Sequence, residues 1–94
     1  MAIDFGPFAA VNDHWYDKMP IMACEEMAEL IQAISKFERH YLDDDFEVKE
    51  CYYKQAIITE MADVYIACAA LTHRYGITEA EIGEAIWKKM DKKY

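Results

Sequence analysis

The sequence predicts an all-α protein, in which a helical hairpin and a third helix assemble into a helical bundle by oligomerisation. Apolar residues recur at the spacing of one helix face over three successive segments, which is the pattern of amphipathic helices. The 94 residues contain only three glycines and two prolines, too few for the frequent turns of a many-stranded β fold. A chain of this length forms one hydrophobic core, so residues 1–94 are predicted to be a single domain.

Composition and charge exclude several classes of protein. Hydrophobic residues make up 54% of the chain, which is typical of a folded domain and not of a disordered one. The formal net charge is −8, whereas a nonspecific DNA-binding protein needs a basic surface, so we expect no nucleic-acid partner. The longest apolar run, residues 64–71, is much shorter than the ~20 residues of a membrane span, and the first residues do not resemble a signal peptide. We therefore expect a cytoplasmic protein with no membrane partner.

The first long helix is predicted to follow a separate N-terminal segment. Residues 4–18 are rich in aromatic side chains and are expected to form a short helix or an ordered arm. Pro20 suits the first turn of the next helix, because its missing backbone N–H would have no partner there in any case. The apolar stripe of this helix comprises Met27, Leu30, Ile31, Ile34, Phe37 and Tyr41.

The second helix is predicted from Phe46 to Tyr75. The acidic residues 43–45 break the first helix, and an aspartate among them can cap the next one. Gly76 suits the left-handed conformation in which many helices end. The apolar stripe of this helix comprises Tyr53, Ile57, Met61, Val64, Cys68 and Leu71.

The third helix is predicted to begin at a capping box. Thr78 and Glu81 have the spacing of such a box, and Ile77 and Ile82 have that of a hydrophobic staple. The apolar residues of the helix are Ile82, Ala85, Ile86 and Met90, and its C-terminal end carries Lys88, Lys89, Lys92 and Lys93. Three helices cannot bury this much apolar surface by themselves, so we expect a homodimer or a homotetramer.

Two pairs of carboxylates stand out on the first two helices. Glu26 and Glu29, like Glu60 and Asp63, are three residues apart and project within about 60° of each other. Each pair borders the apolar stripe of its helix, a position that faces a groove between packed helices. Four carboxylates in one pocket would repel each other unless a divalent cation joined them. Oxygen ligands without nitrogen or sulfur suit Mg²⁺, with Mn²⁺ as a possible substitute.

The surroundings of the second pair suggest room for an anionic ligand. The neighbouring positions on the same helix are Ala56, Ala67 and Ala70, whose small side chains would leave space beside the carboxylates. Arg74 lies further along this face and could reach an anion.

The order of these residues resembles a known family. Glu25-Glu26-x-x-Glu29 in one helix and Glu60-x-x-Asp63 in the next resemble the signature of the MazG-like, all-α nucleoside triphosphate pyrophosphohydrolases. The resemblance covers residues 19–93 and includes the basic end of the third helix. The thirty residues between Glu29 and Glu60 slightly exceed the family's usual spacing.

The resemblance implies an enzyme that hydrolyses a ribo- or deoxyribonucleoside triphosphate to the monophosphate and pyrophosphate. The metal ligands would be Glu26, Glu29, Glu60 and Asp63. Glu25 would hold a second ion or orient the attacking water. Lys36 lies on the same strip of helix as Glu29 and is the first candidate for a catalytic, phosphate-binding cation. Further candidates for phosphate binding are Arg74, Lys89 and Lys92.

An alternative interpretation is a catalytically inactive helical module that binds nucleotide or a protein partner. All five carboxylates of the signature are present, and a pure scaffold would not need them. A di-iron bundle is disfavoured because no glutamate is followed by histidine at the third position.

Overall fold

The computed structural model describes residues 18–93, and side chains up to residue 92. These residues form helices α1 (Met19–His40), α2 (Phe46–Tyr75) and α3 (Glu79–Lys93), with no strand among them. The all-α class is confirmed, and the predicted ends of the helices agree with the structure to within a residue. The helix or ordered arm was expected over residues 4–18, of which residues 4–17 lie outside the described residues.

The first two helices form an antiparallel hairpin whose interface is lined by small side chains. A five-residue connection, residues 41–45, reverses the chain, and α1 then packs along α2. The buried apolar residues are Met19, Ala23, Ala33, Phe46, Ala67, Ala69 and Ala70. Alanine lets two helix backbones approach closely, so α1 presents its alanine-lined face to α2.

Helix α2 covers only part of the apolar stripe predicted for α1. Leu30 and Phe37 are half-buried, as predicted. The other four members remain exposed, by 38%, 64%, 44% and 56% for Met27, Ile31, Ile34 and Tyr41. These four side chains are the part of the stripe that the hairpin leaves uncovered, in line with the expectation that three helices cannot bury all of it. A second apolar face of α1 is therefore left open in the single chain.

Aromatic residues close the hairpin at its turn. The rings of Phe37 and Phe46 meet edge to face with centroids 5.1 Å apart, and His40 stacks on Tyr53 at 5.2 Å. Asp45 occupies the N-cap position of α2, but its side chain does not cap the helix. Instead, its carboxylate pairs with Lys49 Nζ at 2.7 Å, which corrects the expectation of an aspartate cap.

The turn between α2 and α3 is built as the sequence predicts. Gly76 has φ 64°, and the N–H of Ile77 donates to the carbonyl oxygen of Thr72 at 2.9 Å, which closes the end of α2. The N–H of Thr78 donates to Glu81 Oε1 at 2.9 Å, and the N–H of Glu81 donates to Thr78 Oγ1 at 3.1 Å. This reciprocal pair confirms the capping box at the start of α3.

Helix α3 extends away from the hairpin. Ile82 is its one half-buried residue among the described side chains, whereas Ile86, Trp87 and Met90 are 56%, 71% and 50% exposed. The radius of gyration is 16.2 Å, compared with the roughly 12 Å of a compact domain of this length. Helix α3 thus adds a second open apolar surface to the one on α1 in the single chain.

Helix α2 also meets the length and composition criteria of a membrane-spanning helix. It is the one helix among the described residues that does so. Core helices of soluble proteins meet the same criteria, so this property alone does not assign α2 to a membrane.

Candidate metal centre

Four carboxylates from two helices converge on one point of the hairpin. Oxygen atoms of Glu26 and Glu29 from α1, and of Glu60 and Asp63 from α2, all lie within 4.8 Å of one another. The spacing of three residues places each pair on one side of its helix, and the antiparallel packing brings the two pairs face to face. The predicted convergence of these four side chains is confirmed.

Two oxygen atoms in this cluster lack hydrogen-bond partners. Glu26, Glu60 and Asp63 are half-buried, whereas Glu29 is exposed. Oε2 of Glu26 and Oε2 of Glu60 are themselves shielded from solvent and accept no hydrogen bond. A carboxylate oxygen that is shielded from solvent and has no hydrogen-bond donor destabilises the folded state. Binding of a cation or a proton at these two atoms would remove that penalty.

The electrostatics of the cluster raise the pKa of two of its glutamates. Burial raises the pKa of Glu26 above its ordinary value, and the negative charges of Glu29, Asp63 and Glu60 raise it further. Burial also raises the pKa of Glu60, and the charge of Glu29 and a hydrogen bond that protonated Glu60 donates to the Glu29 carboxylate add to the shift. The cluster therefore stores repulsion at neutral pH that a bound divalent cation would remove.

The dimensions of the cluster suit a hard divalent cation. Two ligands on opposite sides of Mg²⁺ lie about 4.2 Å apart, since each bond is about 2.1 Å long. The corresponding separation around Ca²⁺ is about 4.6–5.2 Å. Four carboxylate oxygens within 4.8 Å of one another can surround either ion with small side-chain movements. The all-oxygen ligand set fits these ions better than it fits softer metals.

A groove of about 710 Å³ adjoins the carboxylates. Its lining residues are Glu29, Ile31, Gln32, Ala33, Ser35, Lys36, Arg39, Ala56 and Glu60. Lys36 and Ala56 thus lie where the sequence placed them, beside the carboxylates. Ala67 and Ala70, which were expected to leave space for a ligand, are instead 5% and 0% exposed and belong to the packed core.

Arg39 is a groove residue that the sequence analysis missed. Glu29, Gln32, Lys36 and Arg39 are spaced three, four and three residues apart, so they form one strip along α1. This spacing was visible in the sequence. Lys36 was chosen from the strip and Arg39 was not considered.

The remaining candidate residues lie away from the groove in the described part of the chain. Glu25 is exposed next to the cluster, and its charge contributes to the raised pKa of Glu26. Arg74 is half-buried eleven residues beyond Asp63, about 16 Å further along the helix axis. Lys89 and Lys92 are exposed on α3. The roles assigned to these four side chains stay predictions.

Comparisons with protein-family models, with curated proteins and with solved structures find no match to this chain.

Proposed function

We propose that this protein is a divalent-metal-dependent nucleoside triphosphate pyrophosphohydrolase that converts a ribo- or deoxyribonucleoside triphosphate to the monophosphate and pyrophosphate. One observation carries the proposal: four carboxylates, two of them with an oxygen that lacks a hydrogen-bond partner, converge beside a groove that also contains Lys36. An anionic substrate would be repelled by the carboxylates alone. A cation bound between the carboxylates and the phosphates would neutralise the negative charge of both and allow the substrate to bind. The resemblance of the same residues to the MazG-like signature supports this choice.

The proposed resident ion is Mg²⁺, for which Mn²⁺ can substitute. Its ligands would be Glu26, Glu29, Glu60 and Asp63, as their convergence suggests. When bound, the ion would neutralise phosphate charge and polarise the phosphorus that is attacked.

Lys36 in the groove and Glu25 beside the cluster are proposed to position the substrate and the water. Lys36 lines the groove beside Glu29 and would hold phosphate oxygens as a point charge. Glu25, exposed at the edge of the cluster, would orient the attacking water. The oxygen of this water bonds to phosphorus, the P–O bond of the α–β bridge breaks, and pyrophosphate leaves with its electron pair. The proton of the water passes to solvent.

The active form is proposed to be a homodimer or a homotetramer in the cytoplasm. Exposed apolar side chains on α1 and α3, among them Ile31, Trp87 and Met90, support an oligomer because they would be covered in it. A second copy of the chain is the simplest partner for these faces.

A panel of ribo- and deoxyribonucleoside triphosphates with Mg²⁺ tests the proposal, with pyrophosphate and orthophosphate measured separately. We expect pyrophosphate from at least one triphosphate and no turnover in excess chelator. Glu60→Gln should be inactive, and Glu50→Gln, an exposed glutamate on the same helix, should retain activity. Release of orthophosphate alone would contradict the proposal. Binding of nucleotide without turnover would favour the inactive binding module.

A further inference from the structure

The strip of α1 that lines the groove ends in a cation with no assigned role. Lys36 and Arg39 both line the groove, together with Glu29 and Glu60. Within the part of the chain whose side chains are described, neither cation forms a salt bridge. Two cations that share a groove and lack a carboxylate partner favour an anionic ligand in that groove.

The positions of the two cations define a direction. Lys36 is seven residues from Glu29 and Arg39 is ten, which corresponds to about 10 Å and about 15 Å along the helix axis. Side chains on a helix tilt toward its N-terminus, so both cations lean back toward the carboxylates. Arg39 therefore marks the end of the groove that is distant from the carboxylates.

We propose that Arg39 binds the terminal phosphate of a polyphosphate chain and thereby selects triphosphates over diphosphates. The proposal rests on the proposed function, because that function places the scissile phosphate at the carboxylates. A phosphate chain that starts there extends along the groove past Lys36, and only its last phosphate reaches Arg39. The planar guanidinium can donate two parallel hydrogen bonds to that phosphate, which the ammonium of a lysine cannot do. After cleavage the same phosphate belongs to the pyrophosphate product.

The competing role for Arg39 is structural. The residue lies in the last turn of α1, where a positive charge complements the helix dipole. That role predicts an effect of substitution on thermal stability and none on phosphate affinity. The two roles are therefore separated by measuring binding and melting on the same variants.

Calorimetric titration of the full chain with inorganic triphosphate in the presence of Mg²⁺ tests the proposal. We expect Arg39→Gln to weaken triphosphate binding at least about tenfold, since a hydrogen bond between charged groups is lost. Binding of inorganic pyrophosphate and of Mg²⁺ alone should be unchanged. Arg39→Lys keeps the charge, so its affinity for triphosphate should lie between those of the wild type and Arg39→Gln. Lys54→Gln, with the same loss of charge at an exposed position outside the groove, is the matched control.

Failure of this inference and failure of the proposed function give different results. Equal triphosphate affinities for Arg39→Gln and Lys54→Gln would overturn the role of Arg39, even if the wild type hydrolyses nucleotides. No triphosphate binding by the wild type would overturn it as well. Tight binding that depends on Arg39, without hydrolysis of any nucleotide, would retain the phosphate site and reject the enzyme. Circular dichroism establishes that the variants are folded, and Arg39→Lys replaces Arg39→Gln if the latter unfolds.

Discussion

Glu26 on α1 and Glu60 on α2 each hold one carboxylate oxygen, Oε2, away from solvent and without a hydrogen-bond donor. Oxygens of both side chains lie within 4.8 Å of each other and of the two remaining carboxylates of the cluster. Two like charges placed this way across a helix interface oppose the packing that brings them together. The hairpin is therefore expected to be less stable than its packing alone would make it until a proton or a cation reaches the cluster.

The first prediction is that metal-free protein loses stability as the pH rises above about 4.5, the ordinary pKa of the glutamates concerned. The folded state raises the pKa of Glu26 and Glu60, so it binds more protons than the unfolded state over this range. Stability must then fall with increasing pH until the folded-state pKa values have been passed. Melting temperatures in chelator between pH 4.5 and 8 measure the effect.

A variant isolates this effect from all other titrating groups. Glu60→Gln removes one of the opposing charges, so its metal-free stability should decline less with pH than that of the wild type. Glu50→Gln removes an exposed glutamate outside the cluster and should follow the wild type. Identical pH profiles for all three proteins would show that the cluster carries no stored repulsion.

The second prediction concerns neutral substitutions at the four converging carboxylates. Loss of a residue that only supports a metal ligand typically lowers activity about 10–100-fold. Each of these substitutions removes a ligand itself and should reduce turnover by more than that. Metal-free stability should stay the same or increase, because a repelling charge has been removed. The substitutions are Glu26→Gln, Glu29→Gln, Glu60→Gln and Asp63→Asn.

Thermal melts with and without Mg²⁺ separate a metal site from a structural ion-pair network. At a Mg²⁺ concentration 100 times the dissociation constant, binding stabilises the wild type by about 2.7 kcal/mol. This gain should be reduced or absent in the four variants. If Mg²⁺ stabilises wild type and variants equally, the carboxylates are not its site. If the variants are less stable than wild type without metal, the carboxylates act as partners of positive charges instead.

The sequence predicts local features of this chain well because their causes are local. The end of α2 requires only a residue that accepts positive φ, and Gly76 supplies it. The start of α3 requires only the exchange of two hydrogen bonds between Thr78 and Glu81. The convergence of carboxylates follows from spacing within each helix and from the short connection between them.

The sequence predicts less well which face of α1 meets α2. The helix carries two candidate faces, one with Ile31 and Ile34 and one with Ala23 and Ala33. Hydrophobic periodicity favours the larger side chains, whereas the distance between two packed helices depends on the smaller ones. The choice between them is a tertiary effect that no residue of α1 determines alone. The spacing of Arg39 from Glu29 and Lys36 is visible in the sequence, but only the position of α2 shows that this strip of α1 lines a groove.

The third prediction is that α3 depends on its capping box for helicity. Because most of α3 is exposed in the single chain, little packing compensates for a lost cap. Thr78→Ala should destabilise the start of α3 by about 0.5–2 kcal/mol and speed amide hydrogen exchange there. Thr78→Ser retains the hydroxyl and should restore slow exchange. Equally slow exchange in Thr78→Ala and wild type would show that contacts other than the cap hold this helix turn.

The fourth prediction is that the protein is an obligate oligomer. Ile31 and Ile34 are 64% and 44% exposed on a face of α1 that α2 leaves open, and burial of such side chains favours association. Sedimentation at micromolar concentration should show a dimer or a tetramer. Ile31→Glu should dissociate it, because a charge would be buried without a partner. Gln55→Glu adds the same charge at an exposed position of α2 and should leave the assembly intact. A stable, folded 11 kDa monomer of the wild type would overturn the prediction.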